Sequence, residues 1–115
     1  MKRYCLTLDL KNDPQLIAEY EAHHRRVAPE IIQSIQEAGI TVMDIYRFNN
    51  RLFMIMETTD SFTFEHKQQM DLANEKVQEW EQLMWKYQQP VGNSSSGEKW
   101  VLMDPIFKLN DEQKL

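Results

Sequence analysis

The sequence predicts an α+β domain with strands and helices in the order β-α-β-β-α-β. Three observations carry that prediction. An alternating run opens the chain at residues 3–10, two β-rich runs meet at Asn49-Asn50, and apolar residues recur at helical spacing on either side of that pair. The 115 residues suit a single core, so one domain is expected over 1–109, with 110–115 as a polar tail.

Residues 3–10 place Tyr4, Leu6, Leu8 and Leu10 on one side and Arg3, Cys5, Thr7 and Asp9 on the other, which is the period of a strand. Asn12-Asp13-Pro14 then supplies an N-cap and a proline at the first helical position. The helix that follows carries an apolar stripe through Leu16, Tyr20, His24, Val27, Ile31, Ile35 and Ala38. Pro29 cannot sit unperturbed inside it, so a break is expected between about Arg25 and Pro29. Gly39 ends the second piece, and Ile40 to Phe48 turns at Asn49-Asn50 into a return strand from Arg51 to Thr58. A two-residue turn pairs Phe48 with Arg51, Tyr46 with Phe53, Ile45 with Met54 and Met43 with Met56.

Residues 61–71 hold Phe62, Phe64 and Met70 without a clean period and read as an irregular or partly helical connection. From about Asp71 a helix is marked by Val77, Trp80, Leu83, Met84 and Tyr87, ending at Gln88-Gln89-Pro90. Gly92 to Gly97 has the composition of a flexible loop, and Trp100 to Phe107 reads as an edge strand interrupted by Pro105. The whole is the split βαβ order of ferredoxin-like domains. Both faces of the hairpin are substantially apolar, one rich in Met and Ile, the other carrying Val42, Asp44, Tyr46, Phe53, Ile55 and Glu57. Two helices cover only one face, so a second copy of the sheet is the expected cover for the other, giving a homodimer.

Composition narrows the function. A hydrophobic fraction of 42% and a charged fraction of 27% describe an ordinary globular chain. The net charge of -5 argues against a nucleic-acid partner. Arg25 and Arg26, among Glu19, Glu21 and Glu30, read as a solvated, salt-bridged helix face. One cysteine, Cys5, permits no disulfide within the chain, and no run is long enough for a signal core or a membrane span, so a cytoplasmic setting is expected. His23 and His24 are adjacent and diverge by about 100° on a helix, and His66 has no paired motif, so no metal site is expected. The three glycines form no phosphate cradle, and neither Cys5 nor Ser94 to Ser96 sits where a nucleophile needs to be; no cofactor is expected.

What remains is a set suited to a small hydroxylated ligand. His24 lies on the apolar stripe one turn after Tyr20, which is the place either of a satisfied core histidine or of a group that passes protons near neutrality. Trp80 could stack on the C–H face of a sugar or simply fill the core, and Tyr20 with Asp44 or Glu57 could bond hydroxyls. Trp100 could cap a pocket mouth or anchor the last strand.

These residues resemble the L-rhamnose mutarotase family. The resemblance is carried over most of the chain by Glu19-Tyr20-x-x-x-His24 with Pro29-Glu30, by Gly39, Tyr46, Leu52-Phe53 and Glu57, and by Gln78-x-Trp80 with Met84. It implies a dimeric ferredoxin-like α/β barrel that interconverts sugar anomers without a cofactor. It implies His24 as the proton donor and Tyr20 and Trp80 as sugar contacts. The family's second-strand tyrosine falls at Met43, and the second of a tryptophan pair falls at Glu81, or at Trp85 in the register through Trp85-Lys86-Tyr87. The segment Leu83 to Pro90 with Gly97 to Val101 resembles the branch assigned to L-fucose, and the substrate implied is a 6-deoxyhexose, L-fucose or L-rhamnose. The competing readings are a dimeric-barrel monooxygenase and a non-catalytic sugar-binding module.

Overall fold

A computed structural model describes residues 1–91 and 100–109. Strand β1 (Lys2–Leu10) is followed by α1 (Pro14–His24), α2 (Pro29–Glu37), β2 (Ile40–Phe48) and β3 (Arg51–Thr58). Then come α3 (Phe64–Leu72), α4 (Glu75–Trp85), β4 (Gln88–Gln89) and β5 (Val101–Leu102). The sheet is antiparallel and open, in the order β2-β3-β1-β4, with β5 sharing the outer edge of β1. This is the ferredoxin-like arrangement, with its last strand position divided between two short pieces.

The hairpin register is the one its turn dictates: Phe48 faces Arg51, Tyr46 faces Phe53, Ile45 faces Met54 and Met43 faces Met56. Asn49 takes the positive φ of 53° that the tight turn requires. Alternation then buries Leu6, Leu8, Leu10, Leu52, Met54 and Met56 beneath the helices. The opposite face carries Cys5, Thr7, Phe53, Ile55, Asp44 and Tyr46, with no element of the chain laid over it among the described residues.

The first helical stretch breaks where Pro29 demands. Asp13 caps α1 by accepting from the backbone N–H groups of Gln15 and Leu16, and α1 stops at His24. Ala28, extended ahead of Pro29, starts α2. Gly39, at φ 98°, turns the chain into β2.

The connection over 61–71 is partly helical, as one of its two readings had it: Thr63 caps α3, in which no side chain is fully buried, so its apolar period is weak. Two expectations need correction. The next helix begins at Glu75, because Asn74 caps it, and ends at Trp85 rather than Gln89; Gln88 and Gln89 instead pair with Leu10 and Asp9. The strand expected over Trp100–Phe107 is only Val101–Leu102, extended by one backbone bond from the Met103 N–H to the Cys5 carbonyl at 2.8 Å, after which the chain to Leu109 forms no strand. The loop Gly92–Gly97 and the tail 110–115 lie outside the described residues.

Candidate active site

A cavity of about 410 Å³ opens between α1 and the β2–β3 hairpin, a volume within the range of small-ligand sites. Tyr20, Glu21 and His24 of α1 line it with Arg25 just beyond, and Ile45, Tyr46, Arg47 and Leu52 line it from the hairpin. The helical spacing that put Tyr20 and His24 on one stripe thus brings both to one wall. Tyr20 is buried, and its ring lies 4.4 Å from the imidazole of His24. Trp80 from α4 meets that imidazole edge-on at 5.3 Å, so His24 is held between two aromatic rings.

The tautomer of His24 follows from its partner. Nδ1 lies 2.8 Å from the backbone carbonyl oxygen of Tyr20, which can only accept, so Nδ1 carries the proton and Nε2 of the neutral ring is a bare acceptor. Burial pushes the His24 pKa below its ordinary value; the bond to Tyr20 opposes that shift and His23 adds to it. The imidazole is therefore neutral at pH 7, a base ready to take a proton. Burial pushes Tyr20 up to about 12, against a hydrogen bond from the Gln88 side chain that favours the phenolate. Tyr20 stays protonated at neutrality and serves as a donor.

Neighbouring groups hold this wall in place. The Tyr87 hydroxyl donates to Glu19 at 3.1 Å, so His23 Nε2, also 3.1 Å from that oxygen, donates to it. His23 thereby points away from His24, as adjacency on a helix requires. Arg47 donates from Nε to Glu21 at 2.7 Å, tying β2 to α1 across the cavity mouth, and from Nη1 to the Asn49 carbonyl at 2.7 Å. This pairing corrects the expectation that Glu21 serves the Arg25-Arg26 cluster.

Asp44 and Glu57 do not join the site. Both sit on the sheet face away from the helices, where Glu57 binds Arg3 at 2.9 Å. Trp85 is half-buried at the end of α4, five residues and about 140° around the helix from Trp80; neither tryptophan is among the cavity-lining residues, and Trp80 meets the site only through its contact with His24. Trp100 packs against both core clusters, as an anchor for the last strand does. The sequence reading missed Glu21 and Arg47, although alternation from the predicted pairs already put Arg47 opposite Leu52 on the helix-facing side. No group of three or more His, Cys, Asp or Glu side chains that could hold a metal ion occurs among the described residues. Among them, no helix is long and apolar enough to cross a membrane.

Comparison with known proteins agrees with this geometry. The sequence model of the L-rhamnose mutarotase family matches residues 3–109. The chain is 40% identical over 113 residues to an L-fucose mutarotase of Xanthomonas campestris pv. campestris, covering 96% of this chain and 90% of that one. Among solved structures it resembles an L-rhamnose mutarotase of Formosa agariphila, with a TM-score of 0.68 at 17% identity over 95% of this chain and 99% of the other. It also resembles a dimeric ferredoxin-like protein from an uncultured marine organism, with a TM-score of 0.52 at 11% identity over 92% and 90% of the two chains. The last two likenesses concern the fold.

Proposed function

The chain belongs to the L-rhamnose mutarotase family, and we propose that it is a carbohydrate isomerase interconverting the α and β anomers of a 6-deoxyhexose. L-Fucose is the first candidate, on the strength of the 40% identical relative. The observation that carries the chemistry is a neutral His24 lining a cavity of sugar size, with Nδ1 bonded to the Tyr20 carbonyl and Nε2 without a partner among the described residues.

Anomers interconvert through the open aldehyde. Nε2 of His24 takes the proton from the anomeric hydroxyl as the bond between C1 and the ring oxygen breaks. The imidazolium so formed gives that proton to the ring oxygen, directly or through one water. Rotation about C1–C2 and the reverse transfers close the other anomer, returning His24 to its neutral form. The proton inventory balances, and no cofactor enters. Tyr20 and Trp80 serve as sugar contacts beside His24, and Trp85 is the proposed third contact from α4. The monooxygenase and non-catalytic readings gain no specific observation.

We infer a homodimer as well. The uncovered sheet face exposes Val42 at 36%, Tyr46 at 57% and Phe48 at 78%, an apolar surface that a second sheet would bury. A structural neighbour is described as dimeric. The domain is taken as 1–109, and the cytoplasm is the proposed setting, consistent with the single thiol of Cys5.

Saturation-transfer NMR on L-fucose and L-rhamnose at anomeric equilibrium tests the activity: micromolar protein should accelerate exchange of one or both. No acceleration for either sugar defeats the assignment. A monomeric mass at micromolar concentration defeats the dimer.

A further inference from the structure

The ion pair between Glu21 and Arg47 lines the same cavity as His24. It has a modest role as a structural tie. The two side chains are 41% and 36% exposed, and a pair so placed contributes on the order of 0–1 kcal/mol to stability. Yet both residues line the His24 cavity and also the neighbouring surface cavity beside Asn12 and Asn49, so the pair forms the wall between the two.

Their chemistry suits a neutral polyol. The guanidinium has five N–H donors, and the contacts to Glu21 and Asn49 engage Nε and Nη1, so that among the described residues Nη2 keeps donors for a ligand. Glu21 bonds through Oε2, and its second oxygen can accept from a hydroxyl. A carboxylate and a guanidinium side by side present an acceptor and a donor, the complement of two neighbouring hydroxyls, each of which both donates and accepts. The floor between this pair and His24 is apolar, built from Ile45 and Leu52. Glu21 and His24 stand three residues apart on one helix, with Cβ atoms about 5–6 Å apart, which matches the width of a pyranose ring. A pyranose with its anomeric carbon at His24 would therefore turn its C3 and C4 hydroxyls toward the ion pair.

We propose that Glu21 and Arg47 form the specificity end of the sugar site, holding the C3–C4 diol and so reading the configuration at C4. This rests on the mutarotase reading, and the experiment separates the two. Exchange kinetics are measured by NMR for wild type, Arg47→Met, Glu21→Gln and the charge-swapped pair Glu21→Arg with Arg47→Glu, using L-fucose, L-rhamnose and 4-deoxy-L-fucose.

In Arg47→Met and Glu21→Gln, KM for L-fucose should rise about ten- to a hundred-fold with kcat within about threefold of wild type, the scale of a lost hydrogen bond to a charged group. 4-Deoxy-L-fucose should lose little further in these variants, because the bond it lacks is the one removed. The swapped pair restores the tie between α1 and β2 but not the pattern of donor and acceptor, so it should unfold near the wild-type temperature and still bind weakly. Unchanged KM in the single variants, or full recovery of KM in the swapped pair, overturns the proposal while leaving the mutarotase reading intact. A wild-type protein that accelerates neither natural sugar overturns both.

Discussion

Replacing His24 with alanine separates a packing role from a proton-transfer role, because the two predict effects of different size. On the folding side, the substitution removes the bond to the Tyr20 carbonyl at 2.8 Å and the ring contacts at 4.4 and 5.3 Å to Tyr20 and Trp80. A hydrogen bond contributes about 1 kcal/mol and an aromatic contact about 0.5–1.5 kcal/mol, while alanine returns about 0.5 kcal/mol as a better helix former. With both ring contacts counted, the net loss is about 1.5–3.5 kcal/mol, against about 5–15 kcal/mol for a domain of this kind, so the variant should fold with a melting temperature lower by roughly 5–20 °C. On the catalytic side, losing a positioned acid-base group lowers the rate about a hundred- to ten-thousand-fold. Circular dichroism melting and saturation-transfer NMR on the same preparation read both effects. Added imidazole should restore part of the exchange, since the cavity left by the side chain opens to solvent. A folded His24→Ala variant that keeps more than about a tenth of the wild-type acceleration refutes the assignment of proton transfer to this residue.

Because His24 must be neutral to start the reaction and its pKa lies below 6.5, anomer exchange should be flat above about pH 6.5 and fall as pH drops through the lowered value. The same shift makes the unfolded chain bind the proton first, so His24's contribution to stability is complete above its unfolded pKa and is lost as pH falls through the folded one; pH-resolved urea titrations should show that sign, and activity rising toward acid would contradict the neutral base. Gly39→Ala should cost about 1–3 kcal/mol in urea unfolding. Its backbone sits at φ 98°, and an added Cβ would lie 2.8 Å from Thr59 Oγ1; wild-type stability in that variant would contradict the turn geometry. Gln88 is buried, its side chain bonds the buried Tyr20, and Oε1 has no partner among the described residues; Gln88→Met therefore deprives the Tyr20 hydroxyl of a partner, at about 1–3 kcal/mol, while relieving an oxygen of similar cost, so unfolding stability should stay within about 2 kcal/mol of wild type, and a larger loss in urea titration would contradict an unpaired oxygen there.

Local chemistry made most of the fold legible. The strands of the hairpin, their register, the break before Pro29 and the cap at Asp13 each follow from a few adjacent residues. Failures occurred where the deciding contact is absent from the local pattern. Helix α3 is set by Thr63 and touches the core only through half-buried side chains such as Met70, so hydrophobic periodicity is weak over it. Gln88 and Gln89 look like the frayed end of a helix, and become a strand only because the edge of β1 at Asp9 and Leu10 is open to them.

The site divides in the same way. Tyr20 and His24 are four residues apart on one helix, so spacing alone puts them together, and Trp80 reaches them because it lies on the inner face of α4. Asp44 and Glu57 were candidates by chemistry, but strand alternation forces them to the face away from Tyr20, and the predicted register already contained that exclusion. It contained Arg47 as well. A cation opposite Leu52, on the face otherwise filled by Met43, Ile45, Met54 and Met56, violates the burial pattern of its own strand. Such a charge is tolerated at the helix-facing edge only if something there meets it, and Glu21 does so at 2.7 Å. The misfit between Arg47 and its apolar neighbours was thus the sequence signal for the polar part of the cavity, as the misfit of His24 on its stripe was the signal for the proposed reactive group.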